Sequence, residues 1–339
     1  MKNTINFSEL NIRLTDLFGF KSVSDSIRVH GGHRCQNFSF DTDQGRFFLK
    51  QYRERSSDSV HEIKFSEQFF RQKGFPVIMP CPDRFNRLTF WFSGNWFSVF
   101  PFIEGNIPKA DQISETTLRS LGGTLARMHQ AGFGVGGPQF HRTRMWDSLR
   151  FNSEIIELEE ILLQKKELTK TDHQIIEMIE KKKMLVEKNN RKPTDFPFRN
   201  RYLIHGDMIY QNTFVDSKGE ISHIFDFEKT ARGPRAFELA RSMYINAFDD
   251  GWEPKNFEQA RIFLQAYRSI SPFSLQELLN GVEMYLLYTA HMTWMEERLL
   301  LLPSESVINI FPSHCRRVSH LLEDDLVEFC QSVYPGTAA

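Results

Sequence analysis

The feature that most restricts the fold is a single change in hydrophobic spacing, after the segment FPFIEGNIP. Before it, aromatic and β-branched residues come in short runs, SIRV, NFSFDT, GRFFLKQY, RLTFWF and NWFSVFPF, with DTDQGR and FSGN among the connections. Runs of this length between turn formers read as strands joined by hairpins, which predicts an antiparallel sheet. One segment interrupts them: SSDSVHEIKFSEQFFRQKG opens on capping residues, repeats apolar positions at Ile63, Phe65, Phe69 and Phe70, and stops at Gly74, as one helix would. After FPFIEGNIP, helical spacing dominates from SETTLRSLGGTLARMHQAG onward, broken only by two short strand-like runs. An α+β chain of two lobes follows: residues 1–103 carry the sheet with its one helix, residues 104–339 are larger and mainly helical, and a hinge lies between.

Within the helical part, residues 152–192 form a charged helical pair, EIIELEEILLQKKEL and TDHQIIEMIEKKKMLVEKNN, whose polar faces read as solvated and laced with i,i+4 pairs. The most apolar late stretch, MYLLYTAHMTWMEERLLLLP, contains His291, Glu296, Glu297 and Arg298 and reads as a buried helix, not a membrane span. The N-terminus lacks the apolar core of a signal peptide. Lys and Arg number 42 against 43 Asp and Glu, a net charge of −1, so no nucleic-acid-coating surface is expected. Cys35, Cys81, Cys315 and Cys330 are scattered without a CxxC pair, which argues against a zinc site or disulfide scaffold and for a cytoplasmic setting.

Chemistry concentrates in HGDMIYQNTFVDSKGEISHIFDFEKTARGP. TFVD and ISHIF are strand-like and DSKGE is a turn, so a hairpin is predicted with Asn212 at its entry and Asp226 at its exit. Asp207, Asn212 and Asp226 would then converge. Magnesium is a hard cation that takes carboxylate and amide oxygens while sharing its shell with substrate phosphates. Phosphoryl transfer further needs a carboxylate to position the attacking hydroxyl and a lysine for phosphate oxygens. Lys50 in FFLKQY is the lysine candidate, on a strand face with Phe48 and Tyr52. Glu62 on the following helix is in order to pair with it, and Glu67 is a weaker choice. His205 and His129 read as structural hydrogen-bonders, and Glu228 as either a metal assistant or a solvated acid.

HxDxxxxN followed by a strand, a turn and DFE, and preceded by a strand lysine, a helix glutamate and a hinge, resembles the aminoglycoside phosphotransferase and choline kinase family of the protein-kinase-like fold. LGGTLARMHQAG looks like the family's helix before the catalytic loop, FSVFPFIEG like its hinge, and GPRAFELAR like the segment after the magnesium ligand. Size and order look most like the branch of type II homoserine kinases, spore-coat kinase homologues and a bacterial stress-response kinase. The resemblance implies that Asp207 orients or deprotonates a hydroxyl, that Asn212 and Asp226 bind Mg2+, and that Lys50, held by Glu62, contacts the α- and β-phosphates of ATP. It implies further that backbone around Phe100 to Phe102 reads the adenine edge, with Phe48 on its face. In VHGGHRCQNFSF, Gly31, Gly32 and Asn37 would lie over the nucleotide, although a full GxGxxG is absent.

The activity so implied is ATP- and magnesium-dependent transfer of phosphate to the hydroxyl of a small molecule. The partners expected are that acceptor, with no nucleic acid and no membrane, and the chain itself as a monomer or homodimer. Alternatives are a Ser/Thr protein kinase of the stress-response type and a nucleotide-binding pseudokinase scaffold. GPRAFELAR follows DFE almost directly, leaving no activation segment, and this favours small substrates. Trp146, Asp147, Arg150, Asp249, Asp250, Trp252, Trp294 and Glu297 are candidate acceptor-pocket residues, whose acidic and aromatic character suits an amino-bearing substrate.

Overall fold

The computed structural model describes residues 5–24, 27–29, 36–53, 55–136, 140–143, 145–198 and 201–336. Helix α1 (Phe7–Phe18) begins at Asn6, whose side chain accepts from the Glu9 amide, and buries Leu10, Leu14 and Leu17 along one stripe. The sequence reading has one helix in the sheet-bearing part, so α1 is an addition. Its signal is those three leucines at helical spacing.

Strands β1 (Ile27–Val29), β2 (Gln36–Thr42), β3 (Gly45–Tyr52), β4 (Phe90–Phe92) and β5 (Asn95–Pro101) form one sheet in the order β1-β2-β3-β5-β4, each pair antiparallel. Helix α2 (Ser57–Gln72) follows β3, capped by the Ser56 hydroxyl at the Ser59 amide. Alternation along the strands divides the two faces. Phe38, Phe40, Leu49, Phe97 and Val99 are buried with the α1 leucines, while Tyr52 joins Val60, Ile63 and Phe70 of α2. Of the 32 phenylalanines, several make ring contacts here, such as Phe20 with Phe47 at 4.9 Å and Phe90 with Phe97 at 5.5 Å.

The larger part contains α3 (Glu115–Gly132), α4 (Ser148–Leu163), α5 (Lys170–Lys188), β6 (Tyr202–Ile204), β7 (Thr213–Val215), β8 (Ile221–Ile224) and β9 (Ala231–Gly233). It continues through α6 (Arg235–Phe248), α7 (Pro254–Arg268), α8 (Leu275–Ala290), α9 (Trp294–Leu301), α10 (Glu305–Glu323) and α11 (Leu326–Val333). Helix α6 is its centre, with nearly every residue from Ala236 to Phe248 buried against α7 and α8. α3 lies along α7. Such all-round burial goes with a helix that is mainly apolar, its interior polar side chains being Glu238, Arg241, Ser242 and Asn246.

The charged pair, α4 and α5, carries surface pairs such as Arg150 with Glu154 and Lys183 with Glu159. Its inner faces build a separate core with α9 and α10, from Phe151, Ile155, Leu158, Ile175, Ile179, Val307 and Val318. The stretch from Met284 to Pro303, read as one helix, is two, α8 and α9, parted at His291–Thr293. The Met292 carbonyl accepts from the wholly buried Lys182 ammonium at 2.5 Å, and His291 Nδ1 meets the Leu287 carbonyl at 2.8 Å. The Leu287 carbonyl also accepts the His291 amide at 3.1 Å as the last bond of α8, so it is the Met292 carbonyl that Lys182 satisfies outside a continuous helix. Among the described residues no helix is long and apolar enough to cross a membrane, and Cys81, Cys315 and Cys330 are free thiols.

Candidate active site

The HGDMIYQN segment leaves β6, which pairs with β9, and enters the β7–β8 hairpin, so the loop is held at both ends by short antiparallel ladders. Gly206 has φ +81°, and a Cβ there would meet the Lys229 backbone carbonyl. Its amide donates to Glu238 Oε1 of α6, while Glu238 Oε2 meets His129 Nε2 at 2.8 Å and His129 Nδ1 meets the Tyr267 hydroxyl at 2.7 Å. His205 Nε2 meets the Phe225 carbonyl at 3.0 Å and its Nδ1 accepts from the Asp207 amide at 3.2 Å. Both histidines thus serve structure. Gly206→Ala is expected to cost about 2 kcal/mol or more, from a left-handed backbone and a backbone collision together. Thermal denaturation of that variant, alongside its activity, is the check; an unchanged midpoint would show that the loop yields there.

The predicted hairpin forms, with Thr213 opposite Ile224, and the Phe225 amide donates to the Asn212 carbonyl at 3.1 Å. Asn212 Nδ2 donates to the Asp207 carbonyl at 2.9 Å. Asp226 sits at φ 66°, ψ 60°, a left-handed conformation that turns its carboxylate toward Lys50. Lys50 Nζ is 2.7 Å from Asp226 Oδ1 and 2.6 Å from Glu228 Oε1. Glu228 is also 3.6 Å from Arg55.

The expected pairing of Lys50 with Glu62 is corrected. Glu62 instead accepts from His141, at 3.2 Å from the main-chain amide and 2.7 Å from Nδ1. Glu67 pairs with Lys64 at 2.7 Å in a buried knot with the Tyr52 hydroxyl, and burial pushes the Glu67 pKa up and that of Lys64 down. Glu62 lies one turn nearer the helix start, where it reaches the loop bearing His141. Spacing along the sequence could not decide which side of α2 faces the strand lysine.

Asp207 carries the strongest field. Arg241 donates to its Oδ1 through Nε at 3.1 Å and through Nη2, and Lys229 Nζ lies 2.8 Å from Oδ2. Burial acts to raise the Asp207 pKa, but Arg241 and then Lys229 outweigh it and hold the carboxyl well below the usual range. Withdrawal from water likewise acts to raise the Asp226 pKa, and Lys50 more than offsets it. Both carboxylates are ionised at neutral pH. Lys229 is the reverse case: loss of water, then Arg241, pulls its pKa down despite Asp207.

Neither Lys229 nor Arg241 is among the residues singled out from sequence. Lys229 follows Asp226 by three positions, and Arg241 closes GPRAFELAR, read only as the segment after the magnesium ligand, so no local pattern marked them. Phe48 and Phe100 are opposed in register with rings 6.5 Å apart, and Arg46 lies over the Phe102 ring at 5.4 Å. Asn37, Lys50 and Ser98 share one row of the sheet. Gly31 and Gly32 lie outside the described residues.

Of the acidic acceptor candidates, Asp249 and Asp250 are engaged inside the fold. Asp249 accepts from the Tyr210 and Ser313 hydroxyls, each at 2.8 Å, and Asp250 from Lys255 and Asn256. Asp147 caps α4 at the Leu149 amide, and Arg150 pairs with Glu154. Trp146 donates to the Arg191 carbonyl, Trp252 packs among Phe248, Phe257 and Phe329, and Trp294 lies against the α4–α5 core. Glu297 is exposed on α9.

The donor chemistry suits a hard divalent cation. The Asn212 amide is oriented by its Nδ2 bond to the Asp207 carbonyl, which leaves its oxygen as the group able to ligate, and Asp226 adds carboxylate oxygen. Among the described residues no three His, Cys, Asp or Glu side chains are grouped to hold a metal. Two oxygen ligands with the rest left to water and phosphate is how magnesium is held beside a nucleotide.

A small antiparallel sheet over a helical body, with a strand lysine meeting a hairpin aspartate across the two, defines the protein-kinase-like class. The phosphotransferase enzyme family model matches residues 26–278, and the chain belongs to that family. Among solved structures it is similar to amicoumacin kinase hAmiN in complex with AMP-PNP, Ca2+ and Ami, at 15% identity, TM-score 0.66, and 96% and 97% coverage of the two chains. It is similar also to spectinomycin phosphotransferase in complex with ADP and spectinomycin (13%, TM-score 0.62, 97% and 98%). A third is the microcompartment-associated aminopropanol kinase (15%, TM-score 0.61, 93% and 97%). No curated protein matches the sequence. The chain is accordingly a phosphotransferase with small-molecule kinases as structural neighbours.

Proposed function

We infer that the protein is an ATP- and magnesium-dependent kinase that transfers the γ-phosphate of ATP to a hydroxyl of a small molecule, an amino alcohol, hydroxy amino acid or aminoglycoside-like compound. The observation that carries this reading is the Lys50–Asp226 ion pair at 2.7 Å, which joins the sheet to the hairpin beside Asp207 and Asn212. Catalysis of this kind is positioning and charge neutralisation, for which such a set of groups is sufficient. Neighbours solved with AMP-PNP and with ADP support a nucleotide in the cleft, and the aminopropanol kinase supports an amino alcohol.

In this reading residues 1–103 and 104–339 are the two lobes, and Phe48, Phe100 and Phe102 border the adenine. Asn37, with Gly31 and Gly32, covers the phosphates. Lys50 exchanges its carboxylate partners for α- and β-phosphate oxygens. Asn212 and Asp226 would hold Mg2+, which when bound neutralises charge on the phosphates. Asp207 orients the acceptor hydroxyl; its depressed pKa keeps it ionised, so that it can accept the hydroxyl's hydrogen bond. The setting proposed is the cytoplasm, as monomer or homodimer.

Incubation with Mg2+-ATP and a panel of small alcohols, followed by mass spectrometry of the products, tests the reading. A phosphorylated alcohol is expected from the wild type and a loss of about 10²-fold or more from Asp226→Asn. Labelling of protein in a cell extract, with none of the panel modified, would move the assignment to a protein kinase.

A further inference from the structure

Asp207 faces two cations, and one suffices to neutralise it. Arg241 is held close, its side chain 11% exposed, with two of its nitrogens on the single oxygen Oδ1. Lys229 takes the other oxygen, and its side chain is 42% exposed. Its carbon chain therefore meets solvent, and its ammonium is the surplus charge. It also lies within the field of Asp226, the carboxylate that Lys50 meets. A phosphoryl group passing from a nucleotide held near Lys50 and Asp226 to a hydroxyl on Asp207 has to cross that interval.

We propose that Lys229 is a catalytic residue that leaves Asp207 Oδ2 to bind the γ-phosphate of the nucleotide, frees that oxygen for the acceptor hydroxyl, and neutralises charge on the phosphoryl group in flight. The inference rests on the kinase reading above. In the step, the acceptor oxygen bonds to the γ-phosphorus as the bond from that phosphorus to the β,γ-bridging oxygen breaks. ADP departs with the electron pair, and the hydroxyl proton passes by way of Asp207 to water. Arg241 remains on Oδ1 throughout and keeps the carboxylate aimed. A charge-assisted contact to a transferring phosphoryl group is the role that arginine and lysine clamps fill in phosphoryl transfer generally.

An ion pair of purely structural purpose would tie the segment after Asp226 to the catalytic loop and would be indifferent to the third phosphate. The experiment is therefore titration of the full chain, with Mg2+, by AMP-PNP and by ADP, for the wild type, Lys229→Met and Lys229→Arg, with release of inorganic phosphate from Mg2+-ATP into water as the turnover measure. Lys229→Met is expected to weaken AMP-PNP about tenfold or more while leaving ADP unchanged, and to slow phosphate release; Lys229→Arg is expected to recover most of both. Equal loss of the two nucleotides, or no loss of either, overturns the role of Lys229 and leaves the kinase reading intact. A wild type that binds neither nucleotide overturns the kinase reading, and this inference with it.

Discussion

Asp207→Asn is expected to lower turnover by roughly 10²–10⁴-fold while changing nucleotide affinity by no more than a few fold. The shape of the side chain is kept, and so are the links that set the loop: the Asp207 amide on His205, its carbonyl on Asn212 Nδ2, and the Gly206 amide on Glu238. The charge is lost, and one acceptor oxygen becomes an amide donor facing Lys229 or Arg241. Lys50 and Asp226, set at the nucleotide in this reading, touch none of the altered atoms in the ion pairs they form, and Lys229, which does, is assigned to the γ-phosphate alone, so ADP is the affinity control. The defect should therefore fall on kcat. Because Arg241, which stays on Oδ1, keeps the carboxyl ionised well below its ordinary pKa, Asp207 should contribute no acid limb to the kcat profile between about pH 5 and 9. Isothermal titration with ADP and AMP-PNP, set beside turnover, gives the split; an Asp207→Asn enzyme with wild-type kcat would remove Asp207 from the mechanism.

The largest stability effect is expected far from the cleft, where α5, α9 and α10 meet. Lys182, Glu296 and His314 are all essentially excluded from water, with Lys182 donating to Glu296 and to the Met292 carbonyl. Lys182→Met leaves a buried carboxylate with no cation, a loss of about 3–5 kcal/mol. Lys182→Met with Glu296→Leu should recover much of that, since charge and counter-charge depart together. Denaturant midpoints for the two variants decide it; a double variant no better than the single would mean the pair is not where the energy lies.

The same cluster fixes the direction of acid sensitivity. Burial pushes His314 down to about 4 from 6.5, so this site keeps the imidazole neutral and its stabilisation is lost as pH falls from 6.5 toward 4. Burial acts to raise Glu296, but Lys182 holds it at about 2 against 4.5, so its share is lost below 4.5. His314 Nε2 is 3.5 Å from Glu296, too far for a good hydrogen bond, so the neutral ring gains little there in return.

Much of the cleft was legible because its chemistry is written in local order. Asp207, Asn212 and Asp226 stand on one loop and hairpin, and Lys50 is fixed by strand alternation, so pattern and turn propensity carried them into place. What failed were choices between faces. Whether Glu62 or Glu67 looks toward the sheet depends on the roll of α2, which is settled by packing of Val60, Ile63 and Phe70. The acid-rich segment holding Asp249 and Asp250 read as a binding surface, yet both carboxylates are spent on Tyr210, Ser313, Lys255 and Asn256, partners that lie too far off or on other elements to be seen from residue type. Lys229 was invisible for the opposite reason: it is close in sequence to Asp226, but its partner Asp207 is not.

The left-handed backbone of Asp226 bears on how this protein can be engineered. At φ 66° an aspartate is tolerated, but glycine would rest there without steric cost. A search for thermostable variants guided by backbone preference alone would select glycine at this position and discard a carboxylate that meets the sheet lysine. Stability optimisation and activity are set against each other at residue 226, so any consensus or computational hardening of this scaffold has to hold that position fixed.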